Sequence, residues 1–327
     1  MDPSGCDLPP PGSKRPPIGI VYIRTHGCGS ATMASIVFRH AARYGLLVAQ
    51  SPGHFLPLEE ARGGGDVGGS GEEIRGRRDK RAKVLAETSM FHHTHIAPSD
   101  GTRPRWEAML DWYQAELPGV PIVIIVRNPI ERYARAQMGD KPTMLQDLGI
   151  EPTAAALEAF IQGAQDRVFM FIPLDKFDEG LVALGRRLGW HPRDLAYVRL
   201  NAKSPPAKPV HSPAEVRRSA ALELQLYKWA AGRFEAFVNA DYLGREADRA
   251  IFDQYQQKLA DACWTPGVAP RDAFTVSELC RTYAMNDIEF WRTDLSDEDR
   301  ERNTGFEGHV HRGRGGRVDT QGITLLE

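Results

Sequence analysis

The sequence predicts an α/β protein with a mostly parallel central sheet covered by helices on both faces. Three observations carry this. Ile18–Thr32 (IGIVYIRTHGCGSAT) reads as a short apolar strand, a small-residue loop and a helix start. Ile122–Val126 (IVIIV) is a β-branched run of the kind found in strands buried on both faces. Between and after these, apolar strand-length runs alternate with helical segments, which implies parallel strands joined by crossovers. The 327 residues suffice for one large domain with embellishments, or for two small ones.

The elements follow in order. Ile18 to Ile23 is the first strand and Ala31 to Tyr44 the first helix, with Gly45 as its stop signal. Leu46–Ala49 reads as a second strand. Arg62–Arg81 is a glycine-rich, then basic, low-complexity insertion, expected as a surface loop. Val84–Thr88 reads as a third strand, and Arg103–Glu116 as an amphipathic helix ended by Pro118-Gly119. Ile122–Val126 follows, and Pro129 opens a helix. Pro152 to Gly163 is helical, Val168–Ile172 is a buried strand, and Phe177–Leu188 is helical again. Ser212-Pro-Ala-Glu215 is a capping box with proline at the first helical position, opening the longest helix. A second long helix covers Gly244–Cys263. Residues 1–16 and the tail Gly305–Arg317 read as disordered. The domain expectation is therefore a core over 17–265 containing the 62–81 insertion, and a helical extension with a disordered tail over 266–327.

Composition narrows the function classes. With 41 basic and 43 acidic residues the net charge is −2, so nothing global points to nucleic acid or a membrane surface. No apolar run approaches the roughly 18–20 residues of a membrane span. The Pro-rich, polar N-terminus reads as neither signal peptide nor anchor. The four cysteines, Cys6, Cys28, Cys263 and Cys280, lack zinc-finger spacing. Cys263 and Cys280 form one disulfide in an oxidising compartment or remain two buried thiols; both readings stay open.

Three segments carry candidate chemistry. The loop Arg24-Thr25-His26-Gly27-Cys28-Gly29-Ser30-Ala31-Thr32 joins a strand to a helix N-terminus, a device that favours phosphate or sulfate. It is not a Walker loop, because the glycine spacing and the lysine are both absent. Met90–Pro98 (MFHHTHIAP) holds His92, His93 and His95. Metal ligation, structural burial and general-base chemistry are the three readings of that cluster. Val126–Arg135 (VRNPIERYAR) places Arg127, Arg132 and Arg135 after the IVIIV strand, where ligands of open α/β sheets collect. A phosphate clamp and salt bridges to Glu131 or Asp140 are equally compatible with those arginines.

These motifs, in this order, resemble the Golgi carbohydrate sulfotransferases, most closely the galactose-3-O-sulfotransferase (galactosylceramide sulfotransferase) group. The carriers are R-T-H-x-x-G-S-x-T, then H-H, then strand-R-N-P. FDEGLVALGRRLGW, D-x-x-Y and L-N-A-K follow within Leu174–Asn201 and just beyond it, and Leu224–Asn239 is similar to the family's late helical segment. The resemblance covers about residues 18–260. It implies a P-loop-like sulfotransferase fold and the donor 3′-phosphoadenosine 5′-phosphosulfate, with no metal. Arg24 to Thr32 would hold the 5′-phosphosulfate, and Arg127, with Arg135, the 3′-phosphate. His93 would act as general base for a galactosyl or related sugar hydroxyl of a glycolipid or glycan, and Arg24 would assist catalysis. An imidazole suits that proton transfer, and cations or backbone donors suit the departing bridging oxygen.

Two positions depart from the family. Its loop reads H-K-T-G-S-S-T, and its lysine contacts the bridging oxygen; here Gly27 and Cys28 stand at the lysine and the next residue. The serine eight residues after the 3′-phosphate arginine is Arg135 here, a change that keeps phosphate affinity. Losing one donor at a developing charge costs about 2.7–4 kcal/mol of transition-state stabilisation. Arg24 and Lys203 are the candidate substitutes. The alternative reading is a catalytically impaired relative that binds nucleotide or glycan without turnover. A P-loop-like kinase is disfavoured by the missing loop lysine. The resemblance implies a Golgi location, whereas the chain shows no anchor or signal, which points to a soluble cytoplasmic protein or a truncated gene model. The oligomeric state is not encoded in any of these motifs.

Overall fold

The computed structural model describes residues 19–44, 48–50, 88–92, 104–116, 118–134, 143–198, 209–240 and 245–263, together with Cys280 and Tyr283. The protein is α/β. Five strands, β1 (Val21–Arg24), β2 (Val48–Gln50), β3 (Thr88–His92), β4 (Ile122–Val126) and β5 (Met170–Pro173), form one sheet in the order β2-β3-β1-β4-β5. Every described pairing is parallel; β1 aligns Val21 with Ser89 of β3 on one side and with Ile122 of β4 on the other. All residues of β1, β4 and β5 are buried, as expected of strands sandwiched between helix layers.

The β-branched run IVIIV predicts a central strand, and the structure sets it one strand off centre, beside β1. The connection from β1 to β2 passes over β3, and that from β3 to β4 passes over β1 in the opposite direction. Right-handed crossovers therefore put their helices on opposite faces. One face carries α1 (Ser30–Tyr44), α6 (Phe177–Leu188), α7 (Pro192–Leu195) and α10 (Arg245–Cys263), which pack on one another through α7. The other carries α2 (Arg105–Glu116), α3 (Pro129–Tyr133), α5 (Ala154–Ala164) and α9 (Ala221–Asn239), with α9 laid along β5. The gap between the carboxyl ends of β1 and β4, whose chains leave in opposite directions, is the switch point of the sheet.

Local signals explain most of the boundaries. Thr143 caps the short helix α4 (Met144–Asp147) through a complete capping box with Gln146. Thr153 caps α5, so that helix starts at Ala154 rather than at Pro152. Helix α6 occupies Phe177–Leu188 as the sequence predicts and stops at Gly189. β5 begins two residues later than expected, because Val168 still bonds the end of α5 while Phe169 N donates to Ile122 O.

Three expectations are corrected. β3 is described at Thr88–His92, so Met90–His92 lie in the strand rather than beyond its end; pairing with β1 sets that register, and residues 84–87 lie outside the described set. The helix opening at Ser212 is not continuous. α8 (Pro213–Ser219) ends at Ala220, with φ −120° and ψ 35°, before α9 begins. The two pieces serve different partners: Val216 and Ala220 pack with Tyr133 and Ile130, whereas Leu226, Ala230 and Phe234 join the main core. Helices α4 and α7, each four residues long, were not anticipated. The expected insertion at 62–81, the N-terminal segment and the tail lie outside the described residues.

Cys263 and Cys280 are disulfide-bonded, which resolves the open choice between bridge and thiols. The bridge sits in a small cluster with Ala196, Val198, Leu259 and Tyr283. Among the described residues no helix is long and apolar enough to cross a membrane.

Candidate active site

The loop between β1 and α1 is built on its own backbone. Gly27 and Gly29 hold φ of 71° and 74°, a conformation that costs L side chains energy and that glycine adopts freely. The Thr25 hydroxyl donates to Ile125 O at 2.6 Å and ties the loop to β4. The Ser30 hydroxyl returns to Thr25 O at 2.7 Å. Both hydroxyls are thus spent on shaping the turn. What the loop offers a ligand is the N-terminal turn of α1, whose first amides have no acceptor within the helix, together with its dipole. Ala31 and Thr32 lie in that first turn.

Cys28 is fully buried. Burial pushes its thiol from the ordinary 9.0 up to about 11, so it is no nucleophile at neutral pH. Arg24, at the end of β1, is 3% exposed and lies level with His92 of β3.

The second segment meets the first. Arg127, the residue after β4, donates from Nη1 to Gly27 O at 3.0 Å. Its own backbone N–H faces Met144 Sδ at 3.4 Å. Asn128 caps α3 by accepting from Ile130 N at 3.0 Å, with Pro129 at the first helical position. The structure therefore brings Arg127 and Arg24–Thr32 together across the β1/β4 gap. His93, His95, Arg135, Asp140 and Lys203 lie outside the described residues.

Arg132 lies beside the loop, with its Nε 3.7 Å from the Cβ position of Gly27, but its Nη1 is committed to another partner. It is 4% exposed and bonds Glu223 Oε2 at 2.9 Å. Glu223 also accepts from the Tyr133 hydroxyl at 2.7 Å and from Met144 N at 2.9 Å. Burial and the Glu223 contact hold the Tyr133 hydroxyl well above its ordinary range. Of the two readings for that arginine the salt bridge applies, with a partner 91 residues away instead of Glu131 or Asp140.

Asp147 is the residue that sequence reasoning missed. Its carboxylate accepts from His26 N at 2.6 Å and lies 2.7 Å from His26 Nδ1. The Asp147 side chain is 1% exposed and that of His26 is 24% exposed. The available signal was Thr143-Met-Leu-Gln146, a capping-box string that marks a helix start but not its partner. Among the described residues no three His, Cys, Asp or Glu side chains converge as a metal site.

A glycine-bearing loop at a helix N-terminus, met by an arginine from the neighbouring strand at the switch point of a parallel sheet, is an arrangement suited to a phosphorylated or sulfated ligand. No family model matches the chain. It is 25% identical over 291 residues to galactose-3-O-sulfotransferase 3 of Homo sapiens, covering 77% of this chain and 64% of the relative. It is 23% identical over 296 residues to galactose-3-O-sulfotransferase 2 of Sus scrofa, covering 81% and 73%. It is 22% identical over 284 residues to galactose-3-O-sulfotransferase 3 of Mus musculus, covering 77% and 64%. The chain is a distant relative of the carbohydrate sulfotransferases. It spans 64% of the length of the human relative.

Proposed function

We propose that the protein is a sulfotransferase that moves the sulfuryl group of 3′-phosphoadenosine 5′-phosphosulfate to a hydroxyl of a galactosyl or related sugar, on a glycolipid or glycan. The observation that carries this reading is the Arg127–Gly27 contact at 3.0 Å, which joins the two anion-binding segments at the β1/β4 switch point. The relatives' names support the reaction class. The β2-β3-β1-β4-β5 order and the loop support a P-loop-like sulfotransferase fold over 17–265, to which Cys280 is bonded through Cys263.

In this reading the first-turn amides of α1 bind the 5′-phosphosulfate. Arg127 exchanges its carbonyl partner for the 3′-phosphate, joined by Arg135. His93, just past the β3 terminus, takes the acceptor proton. Preorganised amides and cations then stabilise charge on the departing oxygen. The disulfide supports folding in an oxidising compartment such as the Golgi lumen.

Melting curves test the donor site. Adenosine 3′,5′-bisphosphate raises the melting temperature by binding the native state, and ATP does not. Arg127→Ala removes most of that shift; an unchanged shift removes the 3′-phosphate assignment. Transfer to a galactoside then separates an enzyme from the second reading, a relative that binds without turnover, which Gly27 at the family's lysine position favours. In an active enzyme His93→Ala lowers turnover about 100-fold while donor binding survives.

A further inference from the structure

A buried carboxylate from α4 bonds the donor loop. Asp147 lies on α4, a helix fixed at its start by the Thr143–Gln146 capping box and held to α9 by the Met144 N–H bond to Glu223. Its two oxygens address one residue: Oδ2 accepts the His26 amide at 2.6 Å, and Oδ1 lies 2.7 Å from Nδ1 of the same ring. A carboxylate this buried opposes a phosphosulfate unless a positive charge stands between them. The His26 ring is the side chain in direct contact with that carboxylate from the loop. It is anchored at Nδ1 on the inside, and its side chain is 24% exposed against 1% for Asp147. The neighbouring position, Gly27, has no side chain at all and holds φ 71°.

We infer that His26, oriented by Asp147, is a catalytic cation of the donor site and supplies to the departing oxygen the charge that Gly27 lacks. The inference rests on the sulfotransferase reading. In the transfer the acceptor oxygen bonds to sulfur, and the bond from sulfur to the bridging oxygen breaks. Its electron pair stays on the 5′-phosphate of adenosine 3′,5′-bisphosphate. The acceptor's proton goes to His93. The His26 imidazolium keeps its own proton and donates a hydrogen bond from Nε2 to the departing oxygen, while Nδ1–H donates to Asp147. Asp147 is the positioning residue: a carboxylate bonded to one ring nitrogen fixes the orientation of the ring. The other charged or titratable groups at the loop, among the described residues, include Arg24, Arg127, Arg132 and the Cys28 thiol.

Two measurements decide it. In magnetic resonance spectra of protein carrying isotope-labelled histidine, the His26 signals are those lost in His26→Gln. Adding adenosine 3′,5′-bisphosphate at neutral pH brings both His26 ring nitrogens to the imidazolium position; a neutral tautomer in the complex overturns the inference. In single-turnover transfer from the sulfated donor, His26→Gln lowers the rate about 100-fold, the scale of one lost donor at a developing charge. Its affinity for the desulfated nucleotide falls by less than the rate does, because the charge is used fully only on the departing oxygen, and its melting temperature falls with the lost Nδ1 contact to Asp147. His26→Lys recovers at least about tenfold of that loss, and Asp147→Asn costs about tenfold with KM for the donor nearly unchanged. A His26→Gln protein as fast as the wild type sinks the inference alone. A wild type that transfers no sulfuryl group sinks the proposed function, and this inference with it.

Discussion

Replacing Glu223 by alanine removes the carboxylate that holds three pieces of the site together. Glu223 lies in the first turn of α9, 3% exposed. It fixes Arg132 and Tyr133 of α3, and through Met144 N it fixes α4, the helix that carries Asp147. Both ends of the Arg132–Glu223 pair are 4% exposed by side chain. Breaking a buried pair by deleting one partner costs about 3–5 kcal/mol, because the remaining charge stays buried without its counter-charge. For a chain of 327 residues each kcal/mol is worth about 2 °C, the low end of the usual range, so the melting temperature should fall by about 6–10 °C. Scanning calorimetry without ligand reads this directly. Glu223→Gln keeps the volume and one acceptor and should lose about 1.5–3 kcal/mol. Glu223→Leu with Arg132→Met should recover part of the loss, but not the share owed to the Met144 amide and Tyr133 hydroxyl. A Glu223→Ala protein melting within about 2 °C of the wild type would refute the reasoning, since Arg132 would then be compensated elsewhere.

Three further outcomes follow from the same geometry. Cys28 has its folded pKa raised from 9.0 to about 11, so above pH 9 the unfolded chain gives up the proton first. Stability should therefore fall between about pH 9 and 11 by at most about 1.4 kcal/mol per pH unit, and Cys28→Ala should lack that component in paired denaturant titrations. Gly27→Lys should cost about 1–2 kcal/mol, because a side chain is forced to φ 71°. Its Cβ would lie 3.7 Å from Arg132 Nε, and single-turnover transfer should not accelerate if His26 already supplies the charge; a faster variant would contradict that. Cys280→Ser opens a crosslink between residues 17 apart and should cost about 3 kcal/mol. It should also release Tyr283, whose ring lies 3.9 Å from the Arg39 guanidinium, and make melting insensitive to reductant.

Much of the layout was legible because it depends on short-range physics. Helix α6 could be read to the residue, since its apolar spacing and the following glycine are local signals. The loop between β1 and α1 was legible for the same reason: strand, small residues and helix start are consecutive, and the chemistry they would offer an anion belongs to the backbone. Its approach to Arg127 followed from the rule that ligands gather at strand carboxyl ends.

What the sequence by itself determined is therefore the alternation of strands and helices and the two segments that meet at the β1/β4 gap. The tertiary structure alone decided the strand order, the break at Ala220, the commitment of Arg132 to Glu223 and the seating of His26 on Asp147. The physical reason is separation. Glu223 meets Arg132 across 91 positions, and Asp147 meets His26 across 121. No local propensity records which side chain will face a given buried carboxylate; only the packing of α4 and α9 brings the partners within hydrogen-bond reach.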